Sequence, residues 1–529
     1  MWQKLSGRPV LLLLILSIPF FIGLGAFRLF DWDEVNFAEC SREMILTGEW
    51  WIPQINFELF WEKPPLFFWL QAVGMKFFGV GSLAARLPNA ITGFFTLLLI
   101  YRAGRRWHDA RFATFWTILY AATLLPHLYF KSGIIDPLFN LFMFAGYYYL
   151  IMGWKDDVRR FKFTMWSGAA VGAAVLTKGP VGLLIVGLAF ILAWIFSKGD
   201  FDRLKRMIPG FAIAFLFLVG VWFAGYFIKG GWDLFTDFIQ YQIELFSKPV
   251  AGHKQPFWYH FAVVLVGCFP VAIPALPLLF TNRQDGANNM LYWMRVLWWV
   301  VLILFTIVTT KIIHYSSLAY LPLAYLGAWS IYHGYWRTAW RKLLPGIWFG
   351  HAVIWSILLL GFPVFAHYRM HWLPSLKDRF GSAQWSLPID WSGWEGIGAI
   401  FFIFGWWMAC RMWKRSAFVF GAAYLWIGTV IVLGSYSFLV LPKIEGHTQA
   451  TPIEWYQKAD REGWGIETIG FKTYADLFYG KKMPPEVTTA PEKTLIVTKI
   501  TNKSFKPDEE TKLVEEKGGF RFYLKDHQD

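Results

Sequence analysis

Long apolar runs separated by short polar breaks dominate this chain. Runs long enough to cross a bilayer, at about 20 residues each with latitude for tilt, fall near residues 9–28, 83–101, 112–130, 138–152, 164–178, 181–197, 208–228, 257–281, 293–310, 315–333, 343–366, 395–410 and 416–440. The pattern predicts a polytopic all-α membrane protein of about thirteen transmembrane helices. The first run has the length of a signal peptide, but no small-x-small cleavage site is convincing, so it is read as an uncleaved span. Loops reading RAGRRWHDAR, WKDDVRRFK, SKGDFDRLKR, YWRTAWRK and RMWKR alternate with acidic or nearly neutral ones. The positive-inside rule places the basic set in the cytoplasm. The N terminus is then cytoplasmic, and thirteen crossings leave the C terminus periplasmic.

Two stretches break the apolar pattern. Asp31 to Pro65, DWDEVNFAECSREMILTGEWWIPQINFELFWEKPP, holds eight carboxylates in thirty-five residues. A charge at the bilayer centre costs at least about 2.5–3.5 kcal/mol, so this stretch belongs to a first periplasmic loop, 29–82. After residue 440 the chain turns rich in Lys, Glu and Thr, with a helical PIEWYQKADREG and strand-like TLIVTKI and GFRFYL. The expected division is a membrane domain over 1–440 and a small periplasmic α/β domain over 441–529. No internal repeat is visible.

Composition agrees with the pattern: 56% of the 529 residues are hydrophobic and only 16% charged, against about 25% charged in soluble domains. The net charge of +14 invites a nucleic-acid reading, but the basic residues sit in one set of short loops, where they orient the chain. Cys40, Cys268 and Cys410 are too few and scattered for a disulfide framework.

Candidate chemistry collects on the outer face. Asp33 to Leu46 reads as a surface helix, with Asp31 or Asp33 as N-cap, Glu34 at the capping-box spacing from Asp31, and Thr47-Gly48 as a stop. Helical spacing puts Asp33, Asn36, Phe37 and Cys40 on one side. Pro64-Pro65 hold Glu62 and Lys63 in an extended approach to the next helix. Lys63 suits either a snorkelling anchor or a phosphate contact. Lys131 and Asp136, Lys178, a loop with Glu244, Lys248, His253 and Lys254, and Lys311, His314 and Tyr315 complete the set. Carboxylates with lysines at a lipid–water boundary suit one reaction class. A carboxylate takes a proton from an acceptor hydroxyl while lysines stabilise a phosphate leaving group. No P-loop or Gly-rich nucleotide motif is present, so no nucleotide is expected.

These residues resemble the GT-C membrane glycosyltransferases, in the bacterial branch of the protein O-mannosyltransferases and the lipid A aminoarabinose transferase. The resemblance rests on DE-x-x-F-x-E-x-x-R-E-M (Asp33 to Met44), GEWWIPQIN, FWEKPPLFFWL and AARLPNAITG, extended by IIDPLFN, LTKGP, GHKQPFWYH and KIIHYSSLAYLPLA. It implies an inner-membrane enzyme with a cavity facing the periplasm. The enzyme would transfer a sugar from a polyprenyl (undecaprenyl) phosphate carrier to a lipid A, glycan or protein acceptor, by inverting single displacement. By position Asp33 and Asp136 are the implied catalytic acidic residues and Lys63 the implied donor-phosphate contact; the outer-face lysines Lys131, Lys178 and Lys311 are further candidates for that phosphate. Glu34, Asn36, Phe37, His314 and Tyr315 are the implied substrate contacts. Glu62 and His253 match positions associated with a bound zinc, which makes a divalent metal the expected cofactor. Asn36 and Phe37 replace the Arg and Tyr usual in aminoarabinose enzymes, and His314-Tyr315-Ser316-Ser317 replaces a Leu-Pro-x-Tyr pattern, so sugar and acceptor stay open. A lipid-glycan polymerase or ligase shares this surface chemistry. A secondary transporter or flippase predicts charges at mid-membrane on broken helices instead.

Overall fold

The computed structural model describes residues 8–247, 255–281, 289–338, 343–487 and 490–527. The protein is mostly helical. Among the described residues, five helices are long and apolar enough to cross a membrane by length and composition: Ser82–Trp107, Phe201–Glu244, Met290–Ile307, Leu344–His367 and Phe418–Glu462. Shorter apolar helices are Pro9–Phe21, Leu66–Phe78 and Val181–Phe196. Neighbouring helices approach closely at small residues: a Cβ on Gly168 would lie 2.1 Å from the Phe211 carbonyl oxygen, so only glycine fits there.

Several apolar runs are broken, and the breaks are satisfied by neighbours. Residues 112–130 form two helices, Ala110–Ala121 and Leu124–Tyr129. Residues 257–281 likewise form Tyr259–Gly267 and Ala272–Leu279. Pro270 supplies no N–H, and the carbonyls around this break find partners elsewhere: Leu124 N donates to Phe269 O at 3.1 Å, and Trp348 Nε1 donates to Pro270 O at 2.9 Å. Backbone freed at membrane depth must be paired in this way. The Phe201–Ser247 helix bends at Gly231, whose φ of 66° and ψ of −161° are open only to glycine.

Two features depart from the expected layout. The Leu66–Phe78 helix lies within the stretch read as a loop over 29–82; its thirteen residues rise only about 20 Å, which hid it among aromatic loop residues. At the other end, the Phe418–Glu462 helix runs through residue 440, so the change in composition there falls inside a helix. Beyond it β3 (Gly465–Ile469), β4 (Lys493–Lys499), β5 (Thr511–Lys517) and β6 (Phe520–Asp526) form a four-stranded sheet in the order β3-β4-β6-β5. The pair β3-β4 is parallel across the Ala475–Tyr479 helix, and the other pairs are antiparallel. In the first loop, β1 (Gln54–Ile55) and β2 (Glu58–Leu59) make a short hairpin.

The sheet-bearing segment is fastened to the first loop. Leu29, Val35 and Ala38 share an apolar cluster with Ile453, Tyr456 and Phe478. Polar ties surround it: Leu29 N donates to Tyr479 Oη at 2.7 Å, Thr473 Oγ1 to Asp31 Oδ2 at 2.6 Å, and Arg42 Nη2 to the Lys482 carbonyl at 2.6 Å.

Candidate active site

The Asp33–Thr47 helix is polar in composition yet buried from Glu34 through Met44, so its charged side chains need partners. Arg86, fully buried, donates to Glu34 through Nε at 2.9 Å and Nη2 at 2.8 Å. Its remaining donors reach the carbonyls of Leu24, Phe27 and Arg28. Glu34 also accepts from Gly133 N at 2.6 Å and Phe30 N at 3.0 Å. Burial works to raise the Glu34 carboxyl, but Arg86 and these hydrogen bonds outweigh it and hold it below the usual carboxylate range. Glu43 accepts from the backbone N–H of Asn56 at 2.7 Å and Phe57 at 2.8 Å, holding both in the left-handed region at φ 59° and 60°. Burial and then the neighbouring Glu39 push Glu43 up to about 8. Gly48, at φ 70°, ends the helix as the sequence predicted. The expected cap differs: Trp32 holds the N-cap position without a side-chain bond, Asp31 accepts from Thr473, and Glu34 reaches back to Phe30.

One face of the helix's first turn is left over for something else. Asp33, Asn36 and Phe37 line a cavity of about 560 Å³ together with Glu62, Lys63, Asp136, Lys178, His314 and Tyr315. Asp136 opens the Asp136–Lys155 helix, and its Oδ1 accepts from Lys178 Nζ at 2.6 Å. Lys178 is the last residue of the Arg160–Lys178 helix and lies over the Tyr315 ring at 4.6 Å. His314 Nε2 stands 3.6 Å from Asp33 Oδ2 and 3.6 Å from Asp136 Oδ2. Those gaps exceed a direct hydrogen bond, and Asp136 Oδ2 has no partner among the described residues. Burial pulls the His314 imidazole below its ordinary range, and Lys178 adds to this, against the raising influence of the two aspartates. Burial and the lysines thus favour the uncharged imidazole. Asp33 keeps 32% of its side chain accessible while Asp136 keeps 3%, so Asp33 is the carboxylate open to a ligand.

Lys63 faces them from the Glu-Lys-Pro-Pro element. Its ammonium lies 3.9 Å from Glu62 Oε2 and 5.4 Å from the centre of the Tyr241 ring. Burial pushes it below the usual lysine range. Glu62 Oε2 accepts from the Tyr241 hydroxyl at 2.7 Å.

Three candidate residues lie elsewhere. Glu34 does not line the cavity; it is Arg86's buried partner on the other side of the same helix. Lys131 donates to the carbonyls of Pro19 and Ile22, where the Pro9–Phe21 helix ends. Lys311 donates to Val308 O at 2.8 Å, just past the Met290–Ile307 helix. Both lysines satisfy carbonyls that a helix end leaves open, instead of facing the cavity. His253 lies outside the described residues, as do Lys248 and Lys254. Among the described residues no three His, Cys, Asp or Glu groups converge to hold a metal, and Glu62 is engaged by Tyr241. The cavity also takes Trp32, Tyr241, Thr310, Lys472 and Tyr474, none of them singled out from the sequence. Lys472 and Tyr474 arrive from more than four hundred residues away, and no local pattern marks them.

Residues 62–224 match the family model described as dolichyl-phosphate-mannose-protein mannosyltransferase. The chain is 27% identical over 341 residues to the undecaprenyl phosphate-alpha-4-amino-4-deoxy-L-arabinose arabinosyl transferase of Erwinia tasmaniensis, covering 63% of this chain and 60% of that one. It is 26% identical over 336 residues to the enzyme of the same name from Pectobacterium carotovorum, covering 61% and 59%. The matches thus span about three fifths of these relatives. The fold superposes on the crystal structure of ArnT from Cupriavidus metallidurans bound to undecaprenyl phosphate with a TM-score of 0.76, at 19% identity, over 98% of both chains. Family model, relatives and fold together bear out the resemblance read in the sequence, to the GT-C membrane glycosyltransferases in the branch of the protein O-mannosyltransferases and the aminoarabinose transferase.

Proposed function

We propose that the protein is an inner-membrane glycosyltransferase that moves a sugar from an undecaprenyl-phosphate carrier to a lipid A, glycan or protein acceptor on the periplasmic face. The observation that carries this reading is the convergence of Asp33, Asp136, His314, Lys63 and Lys178 on one cavity, fed by the ends of apolar helices. A lipid-borne donor reaches such a place laterally, with its phosphate at the lysines.

In the reaction an acceptor oxygen attacks the anomeric carbon from the face opposite the phosphate. The new C–O bond forms as the bond to the phosphate oxygen breaks, which inverts the centre. The acceptor's proton passes to Asp33, the accessible carboxylate, and undecaprenyl phosphate leaves with the electron pair. Lys63 and Lys178 neutralise that phosphate. Asp136 aims the Lys178 ammonium, and His314 stands between the two carboxylates at 3.6 Å from each. Asn36, Phe37 and Tyr315 shape the sugar's surroundings.

The finer layout belongs to the same proposal: thirteen crossings, a cytoplasmic N terminus, a periplasmic C terminus and a sheet-bearing domain over 441–529. Zinc held by Glu62 and His253 is carried as a proposal too. Elemental analysis of the purified protein and of Glu62→Gln tests it, and equal zinc in both sinks it.

Protein reconstituted in liposomes with an undecaprenyl-phosphate-linked sugar should transfer that sugar and release undecaprenyl phosphate. Mass spectrometry of lipid A, glycan and peptide acceptors reads the product. Transfer to none of them would overturn the reading, whereas growth of a glycan chain on its own carrier would favour the polymerase alternative.

A further inference from the structure

A larger groove, of about 880 Å³, opens between three helices that lead away from the catalytic cavity: Ser82–Trp107, Asp136–Lys155 and Arg160–Lys178. It shares no lining residue with that cavity. The Leu66–Phe78 helix lines its near end with Leu70, Val73 and Phe77. From Pro88 to Arg102 the groove follows about 21 Å of helix, within the roughly 30 Å of a bilayer's hydrocarbon core. Ile91, Phe95 and Trp166 stay exposed along it, so it is open sideways to lipid.

Asp136 and Lys178 stand at the cavity ends of their helices, and the opposite ends, Lys155 and Arg160, lie about 28–30 Å away on the other membrane face. The carboxylates of the loop there are taken. Asp156 pairs with Arg106 at 3.4 Å and with Arg159 at 2.8 Å, and Asp157 with Arg160 and, at 3.3 Å, with Arg203. Arg102 is different. It lines the far end of the groove, within the last two turns of its helix, and among the described residues no carboxylate lies within 4.0 Å of it. Lys162, exposed and equally without a carboxylate partner among the described residues, precedes Trp166 by one turn and so shares its side of the Arg160–Lys178 helix. The Trp166 and Tyr149 rings meet beside it at 6.5 Å, as aromatics at headgroup level do.

An apolar groove that ends on two uncommitted cations fits a lipid whose chains lie along the helices and whose headgroup is an anion. A zwitterionic headgroup would bring its own ammonium against Arg102 and Lys162 and lose most of that attraction. The sugar carrier's phosphate belongs at Lys63 and Lys178, on the opposite face. We propose that this groove binds an anionic glycerophospholipid from the leaflet away from the catalytic cavity, with its phosphate between Arg102 and Lys162 and an acyl chain along Phe95, Phe142 and Ala170.

The test takes the full chain, purified in detergent and stripped of lipid. It is titrated with phosphatidylglycerol or phosphatidylethanolamine of matched acyl chains, and bound copies are counted by native mass spectrometry. Phosphatidylglycerol should bind about tenfold more tightly than phosphatidylethanolamine. Arg102→Ala and Lys162→Ala should each weaken phosphatidylglycerol about fivefold and leave phosphatidylethanolamine unchanged, while Arg102→Lys should keep most of the affinity. Phosphatidylglycerol with a photoreactive acyl chain should label peptides within 138–149 and 166–173, and excess undecaprenyl phosphate should not abolish that labelling. Equal phosphatidylglycerol affinity in wild type and both alanine variants would overturn the site, as would equal affinity for the two phospholipids. Labelling confined to other helices would overturn it too. So would loss of labelling to undecaprenyl phosphate, which would give the groove to the carrier's tail. Transfer at Asp33 is untouched by any of these outcomes.

Discussion

Glu34 and Asp33 are adjacent in sequence, and replacing each should have opposite consequences. Glu34→Ala deletes the carboxylate that, among the described residues, alone bonds Arg86, a fully buried guanidinium. Removing one partner of a buried ion pair leaves an uncompensated charge and costs about 3–5 kcal/mol. The loss should sit at the upper end, because Gly133 N and Phe30 N lose their acceptor in the same change. At about 1.4 kcal/mol per factor of ten, that is roughly two to four powers of ten in the folded-to-unfolded ratio. The assay is thermal unfolding in detergent, followed by tryptophan fluorescence and size-exclusion recovery, beside transfer activity per folded protein. Glu34→Ala should unfold far earlier than wild type, with activity tracking the folded fraction. The pH dependence has a definite sign. Glu34's carboxyl is held below its unfolded value of about 4.3, so its stabilisation is present above that pH and lost as pH falls through the lower folded value. A Glu34→Ala protein with wild-type stability would refute this reasoning.

Other outcomes follow from the same geometry. Lys63→Ala should lower kcat/KM by about 10²–10³-fold, as removal of a donor to a developing anion does, read by steady-state transfer assays. Because burial depresses the Lys63 ammonium, activity should fall with rising pH earlier than an ordinary lysine near 10.4 would cause; Lys63→Arg should move that limb upward. Lys131→Met should weaken thermal stability by freeing the carbonyls of Pro19 and Ile22, with donor KM unmoved in the surviving folded protein. Glu43 favours its protonated form in the fold, so its stabilisation is full below about 4.3 and is lost as pH rises through about 8; stability-versus-pH curves of Glu43→Gln should lack that slope.

The residues explain what was legible in the sequence. Asp33, Glu62-Lys63, Asp136, Lys178 and His314 stood out because a charge beside an apolar run is expensive and needs a purpose. The structure brings all of them to one cavity. Lys131 and Lys311 obeyed the same signal, but their purpose is to close helix ends, and a lysine after an apolar run reads alike in either role. Glu34 was misjudged because its partner, Arg86, lies fifty-two residues on. The helical PIEWYQKADREG and the strands β4 and β6 followed from local pattern. What local pattern could not carry was the docking of that segment on the first loop, and with it Lys472 and Tyr474. The breaks near Thr123 and Pro270 were hidden for a related reason, since each is stabilised by atoms of the other.

In the proposed mechanism Asp33 takes the acceptor's proton in a cavity whose lysines hold the departing phosphate. Single-turnover transfer from an undecaprenyl-phosphate-linked sugar by Asp33→Asn tests it most directly, because this change keeps the side chain's shape and removes its basicity. The rate should fall about 10²–10⁴-fold, with wild-type thermal stability and donor binding retained. Transfer by Asp33→Asn at the wild-type rate would contradict it.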